Sequence, residues 1–309
     1  MFEIISDAFW DSLNVVPLLL AIYIVVELAE YRFGDAIITK VKKAGRAGPL
    51  IGALVGIFPQ CGFSVISTAL YTQELVTIGT LLAVYLATSD EALPIILSQP
   101  EKIGIVFLLV MTKLAIALPA GYVIDFAFRK RNIKVLDHIA NYSSGKDDKS
   151  HHHETALEEP ACCGHRVDGA SKKFNPAEIL FHPIIHTLKI FFFIFTVTLA
   201  IDYSVDRIGS DAIGNLFSIN PFLAPFLAAL IGLIPNCAAS VAITELYLKG
   251  VISYGAAISG LCASAGLGTL VLIKEDKEKK DVALIIAILL GVSITSGLVI
   301  QYLLGSWTP

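Results

Sequence analysis

Two stretches of this chain share one pattern: Pro59-Gln60-Cys61-Gly62-Phe63-Ser64 and Pro235-Asn236-Cys237-Ala238-Ala239-Ser240. Each reads Pro-amide-Cys-small-x-Ser, and each lies inside an apolar run. Proline lacks the backbone donor a helix interior needs and clashes with the preceding turn, so each run is interrupted there. Within lipid, interrupted backbone is tolerated only where protein or a water-filled cavity surrounds it. The two stretches therefore read as the paired tips of broken helices, and the rest of the chain is arranged around them.

The pairing extends beyond the tips. Residues 52–97 align with 228–273 without a gap, at an offset of 176, and 12 of the 46 positions are identical. The matches include Pro59/Pro235, Cys61/Cys237, Ser64/Ser240, Thr68/Thr244, Tyr71/Tyr247 and Gly79/Gly255. Apolar composition alone would match Ala and Leu; it would not match Pro, Cys, Tyr and Gly in register.

The composition excludes a soluble domain. Hydrophobic residues make up 55% of the chain and charged ones 16%, against about 25% charged in ordinary soluble domains. Long uninterrupted apolar segments exclude an outer-membrane barrel of short alternating strands. The first charges, Glu3, Asp7 and Asp11, are acidic, unlike the basic start of a cleaved signal peptide. Five cysteines, two of them in tandem, are not a disulfide framework. The expected fold is an all-α integral membrane protein in the inner (plasma) membrane.

Apolar segments run over 13–33, 49–72, 76–97, 103–127, 184–203, 221–248, 251–273 and 282–304. Basic loops stay in the cytoplasm, and 32–46, 129–149 and 274–280 are the basic ones. If every run crossed once, three crossings would separate the first two loops and place them on opposite sides. If 49–72 enters, turns at Pro59–Ser64 and leaves on the same side, both loops are cytoplasmic. The same rule applied to 221–248 makes the acidic 202–219 loop external, and both termini external. Each arm of about ten residues would reach roughly 15 Å, half of a roughly 30 Å hydrocarbon core.

Each half then has three transmembrane helices and one re-entrant helical hairpin, ten helical segments in all. An odd number of crossings per half turns the second half upside down, the inverted repeat of many secondary transporters. Residues 1–128 form the first membrane repeat, 129–178 a polar cytoplasmic linker without the apolar content for a core, and 179–309 the second, inverted repeat. Two merely kinked full spans are the alternative, which their lengths also allow.

Several side chains could carry chemistry. Cys61 and Cys237 are soft ligands suited to thiophilic ions; Gln60 and Asn236 add amide oxygens, and Ser64 and Ser240 hydroxyls. The bland alternative is small residues packing at hairpin tips. Asp90 and Glu91 are costly in an apolar segment, where carboxylates usually mark an ion or proton path; at the repeat offset stand Gly266 and Leu267, so the halves are chemically unequal. Solvation near the external end is the alternative. Lys113 lies mid-span and would pair with Asp90 or Glu91 or yield to an arriving cation, unless it snorkels to an interface. Glu245 stands where the first hairpin has Ala69 and joins Asp90, Glu91 and Lys113 as a coupling or charge-compensating group. Gly260, Ala263, Ser264, Ala265, Gly266 and Gly268 form a small-residue face for close helix packing. The linker holds His151, His152, His153, Cys162, Cys163 and His165, a tract able to take up Zn or Cu though matching no closed four-ligand spacing.

The run Gly56-Ile57-Phe58-Pro59-Gln60-Cys61-Gly62-Phe63-Ser64 resembles a family of ten-segment heavy-metal efflux permeases, often labelled arsenic or manganese exporters. Thr88-Ser89-Asp90-Glu91-Ala92-Leu93-Pro94 and Gly232-Leu233-Ile234-Pro235-Asn236-Cys237-Ala238-Ala239-Ser240, with Thr244-Glu245-Leu246-Tyr247 after it, strengthen the likeness. It covers most of the apolar chain and leaves the polar linker outside. The resemblance implies outward transport of a metal or metalloid.

The leading expectation is a secondary active exporter of Mn(II), arsenite or a similar ion, coupled to protons through Asp90 or Glu91. No phosphate-binding loop of the G-x-x-x-x-G-K-[ST] type is present. Alternatives are a permease for a small organic or inorganic anion, held by hairpin N-termini and Lys113, and a passive channel. No nucleophile–base pair or H-E-x-x-H spacing suggests an enzyme. Expected partners are the carried ion, protons and lipid, with a homodimer allowed; no nucleic acid and no resident cofactor is expected.

Overall fold

In a computed structural model, the chain is described over residues 45–59, 61–89, 91–99, 102–129, 223–235, 237–275 and 279–304, with scattered positions in 13–24, 131–135 and 184–199. The linker, with its His and Cys tract, lies outside these residues. All regular structure among them is helical.

Ten helices carry the argument: α1 (Gly48–Gly56), α2 (Cys61–Thr72), α3 (Ile78–Ala87), α4 (Ala92–Leu97), α5 (Ile103–Ala127), α6 (Leu223–Gly232), α7 (Cys237–Leu248), α8 (Tyr254–Ala263), α9 (Gly268–Glu275) and α10 (Lys279–Leu304). The prolines act as expected. α1 ends three residues before Pro59, α6 three before Pro235, and the chain restarts as helix at Cys61 and Cys237.

Two interruptions depart from the sequence reading. Residues 76–97 and 251–273 are not single helices: α3 stops before Thr88 (ψ 129°) and α8 before Ser264 (ψ 90°). Gly266 follows at φ +55°, a left-handed conformation that glycine adopts without steric cost. The small-residue stretch 260–268 is thus partly a helix break rather than one continuous packing face.

The two halves repeat one packing pattern. α1 lies on α3 and α3 on α5; α6 lies on α8 and α8 on α10. Small residues permit the contact: a Cβ on Gly79 would lie 2.2 Å from the Gly121 carbonyl oxygen, and one on Gly255 would lie 2.7 Å from that of Gly297. Across the halves, α2 packs on α9 and α7 on α4. α3 and α8 form the core, with Leu81, Leu82, Ala83, Ala256, Ala257 and Ile258 fully enclosed. α5 and α10 turn Phe107, Val123, Phe126, Val299, Tyr302 and Leu303 outward, the apolar rim expected of helices facing lipid.

Side-chain bonds give the directions. Thr77 caps α3 through Thr80 N, and Asp125 of α5 accepts from Thr77 Oγ1 and from Gly79 N, both at 2.8 Å. Ser253 caps α8 through Ala256 N and donates to Gln301 Oε1 of α10 at 3.0 Å. Asp125 and Gln301 are again 176 residues apart, so the correspondence between halves runs on through α5 and α10. Gly48 faces Thr80, and Gly56 faces the Val84 carbonyl and Thr88 N, so α1 and α3 run the same way and α2 carries the chain back to the level where α3 begins.

Arg131, beyond the end of α5, pairs with Asp281 at the start of α10 at 2.5 Å and also donates to Tyr71 on α2 at 3.0 Å. Lys102, before α5, donates to the Leu248 carbonyl at the end of α7 at 2.6 Å. α5 spans about 37 Å at 1.5 Å per residue, which separates these two clusters by a bilayer's thickness. α3 starts at the Arg131 end, beside Asp125. α8 starts at the other, beside Gln301 of α10, whose own first turn meets Arg131. α3 and α8 therefore approach the middle from opposite ends.

Candidate functional site

The middle is where the interruptions meet. Gly56, ending α1, abuts Thr88 N at the break between α3 and α4. Gly232, ending α6, abuts the Gly260 carbonyl in the last turn of α8. Lys113, near the centre of α5, donates from Nζ to the Thr88 carbonyl and, at 2.8 Å, to the Leu261 carbonyl. One ammonium thus joins the C-terminal ends of α3 and α8, and all four chain breaks lie around its level.

The need for that donor is local. Helices leave their last carbonyls without intrahelical partners, and their C-terminal ends carry partial negative charge that favours a cation. Thr88 already lies outside α3. Beyond Leu261, Ala265 N bonds to the Ala263 carbonyl instead of continuing the α pattern. Lys113 is 1% exposed, so it does not snorkel to an interface. At the repeat offset stands Leu289, also fully buried; the central cation belongs to one half alone.

The other sequence candidates are placed unevenly. Cys61 and Cys237 are the first residues of α2 and α7; their side chains lie outside what the structure describes. Gln60, Asp90 and Asn236 lie outside the described residues, as do the six linker residues. Ser64 and Ser240, one turn into α2 and α7, are buried, as is Glu245 further along α7. Glu91, just before α4, is 3% exposed rather than solvated at a membrane surface. Cys262, on α8, is a free buried thiol. Among the described residues no three His, Cys, Asp or Glu side chains cluster as a metal site.

A second polar contact joins the halves. Thr68 Oγ1 on α2 lies 2.7 Å from the Ser64 carbonyl, 2.5 Å from Tyr85 OH on α3 and 3.2 Å from the Gly268 carbonyl at the head of α9. A threonine hydroxyl has one proton, so it donates to one of the two carbonyls at a time, and Tyr85, fully buried, has Thr68 as its acceptor. A Cβ on Gly268 would lie 3.0 Å from Ser64 Cβ and 2.8 Å from the Tyr85 ring, so α9 begins hard against the Ser64 turn. Sequence reasoning missed Thr68, Tyr85 and the carbonyls of Thr88 and Leu261. The Thr68/Thr244 identity was a signal for the first; main-chain oxygens leave none.

A profile of the family described as "Putative, 10TM heavy-metal exporter" matches residues 1–167 and 185–306. The chain belongs to this family. The match runs through much of the linker, further than the quoted motifs reach, and leaves out residues 168–184 and 307–309. No curated protein and no solved structure matches the chain. As a member of this exporter family, the chain is a multi-pass membrane protein, and metal efflux is the activity the family description assigns. Four of its helical segments among the described residues are long and apolar enough to cross a bilayer: Ile78–Leu97 and Tyr254–Lys274, both interrupted, with Ile103–Ala127 and Lys279–Leu304.

Proposed function

We propose that this exporter is a secondary active, proton-coupled carrier of Mn(II), arsenite or a similar ion, built as an inverted repeat with two re-entrant hairpins. The observation that carries the reading is the meeting of four helix breaks at one buried level, where broken helices bind substrate in inverted-repeat transporters. The opposed approach of α3 and α8 supports the inversion. The return of α2 to the start of α3 supports the first hairpin, and the Arg131–Asp281 pair supports a shared cytoplasmic side for the two loops it joins.

In this reading Gln60, Cys61, Ser64, Asn236, Cys237 and Ser240 at the hairpin tips form the ion site with Asp90 and Glu91. The thiolates suit arsenite or a soft cation, and the oxygens suit Mn(II). Asp90 and Glu91 carry the coupling proton, and Lys113 and Glu245 balance charge. Both termini face outward in the inner membrane, with the 129–178 linker in the cytoplasm, where its His and Cys residues collect metal.

Purified full-length protein in proteoliposomes tests this with a panel of metals, with and without a pH gradient. Metal efflux that follows the gradient is the expected result; no movement of any metal would sink the reading. The buried ammonium of Lys113 favours a second reading, an anion permease. Cys61→Ser with Cys237→Ser separates the two. Loss of metal transport in a folded double variant fits the exporter, and retained transport of a small anion fits the permease.

A further inference from the structure

We infer that the Lys113 ammonium is a tethered counter-cation: it stands where a coupling metal cation would sit in a transporter of this plan, so the ion cycle uses no sodium-type ion at that position. Broken-helix transporters use unwound carbonyls and half-helix C-terminal ends to coordinate such ions. Here the equivalent groups are the Thr88 carbonyl after α3 and the Leu261 carbonyl in the last turn of α8, one from each half. Both point at Nζ of a side chain that is 1% exposed. An ammonium matches a small monovalent cation in charge and offers three donors and no acceptor, so it can bond both carbonyls at once. Covalent attachment also removes the entropy of capturing a free ion.

The arrangement is fixed from one half. α5 holds α3 at both ends, Asp125 at its N-terminus and Lys113 beyond its C-terminus. The second half has Gln301 and Leu289 at these places, so the end of α8 takes its cation from the first half. Movement of α8 relative to α5 must then break or remake the Lys113–Leu261 bond, while the Lys113–Thr88 bond travels within one packed unit.

The test uses the full chain in detergent and rests on the transporter reading only in its transport arm. Thermal unfolding of wild type and Lys113→Ala is followed in sodium, choline and ethylammonium chloride at matched ionic strength. Wild type is expected to unfold at one temperature in all three. Lys113→Ala is expected to unfold about 5 °C or more lower and to regain part of that shift in ethylammonium but not in choline. A variant that ignores ethylammonium, or a wild type stabilised by sodium alone, overturns the inference. If Lys113→Ala does not purify, wild type decides: saturable binding of radioactive sodium overturns the inference, and its absence supports it. In proteoliposomes, wild-type rates are expected to be unchanged when choline replaces sodium. Absent metal transport with the salt profile intact would sink the exporter reading and leave the role of Lys113 standing.

Discussion

Gly79 and Gly291 are both helix glycines, yet they predict opposite outcomes. A Cβ on Gly79 would meet the Gly121 carbonyl at 2.2 Å and Asp125 Oδ1 at 2.4 Å, whereas one on Gly291 meets nothing within 4 Å. Gly79→Ala must push α3 off α5 and should cost roughly 3 kcal/mol or more. Gly291→Ala should stabilise by up to about 1 kcal/mol, because alanine gives up less conformational freedom in a helix. Parallel thermal unfolding in detergent checks both; equal shifts would mean that the close approach of Gly79 is not a constraint. Tyr85→Phe leaves Thr68 without its phenolic neighbour while both carbonyl acceptors remain, and should cost about 1–2 kcal/mol. None of these differences was visible in the residue names. The costs at Gly79 and Tyr85 depend on atoms more than 15 positions away along the chain, and the gain at Gly291 on open space around it.

At the scale of elements, equivalent helix ends use different chemistry for one job. α2 and α7 close with the same pattern: Leu75 N bonds back to the Leu70 carbonyl and Val251 N to that of Leu246, with a left-handed residue between, Glu74 at φ 57° and Gly250 at φ 71°. Glycine belongs there and glutamate does not. Glu74→Gly should therefore stabilise by about 1 kcal/mol, and Gly250→Ala destabilise by a similar amount; opposite shifts in unfolding temperature are the expected signature. The start of α3 is held by a carboxylate and that of α8 by an amide. Asp125→Ala, which strips acceptors from Thr77, Gly79 and Asn132, should cost about 2–3 kcal/mol, and Gln301→Ala about 1. The helix interruptions at Pro59 and Pro235 were legible because proline and the repeat mark them. The breaks in α3 and α8 were not, since Thr88 and Ser264 are ordinary helix residues and only Gly266 hinted at a left-handed turn.

At the scale of the whole molecule, the two polar clusters at the ends of α5 define its faces. Cysteines placed at Gln73, Arg131 and Lys279 should label from one side of sealed vesicles, with Lys42, and cysteines at Lys102 and Lys249 from the other. Labelling of Gln73 from the side opposite Lys42 would abolish the reversal near Cys61 and the pocket with it. The pair of exposed Arg131 with partly buried Asp281 should add no more than about 1 kcal/mol to stability. Arg131→Asp should therefore leave folding nearly intact, and any loss of transport that Asp281→Arg then restores would mark the pair as a contact made and broken in the cycle.

The sequence by itself determined that this is a helical membrane protein made of two related halves, with its helices interrupted near Pro59 and Pro235. Those properties are local or statistical: apolar run length, loop charge, a missing backbone donor and residues matched at one offset. Only the tertiary structure decided what Lys113 holds, because its partners are main-chain oxygens whose freedom to accept depends on where two distant helices happen to end. A helix break is written weakly in its own residues and strongly in the groups that come to satisfy it, and those groups lie in other elements, one of them in the opposite half.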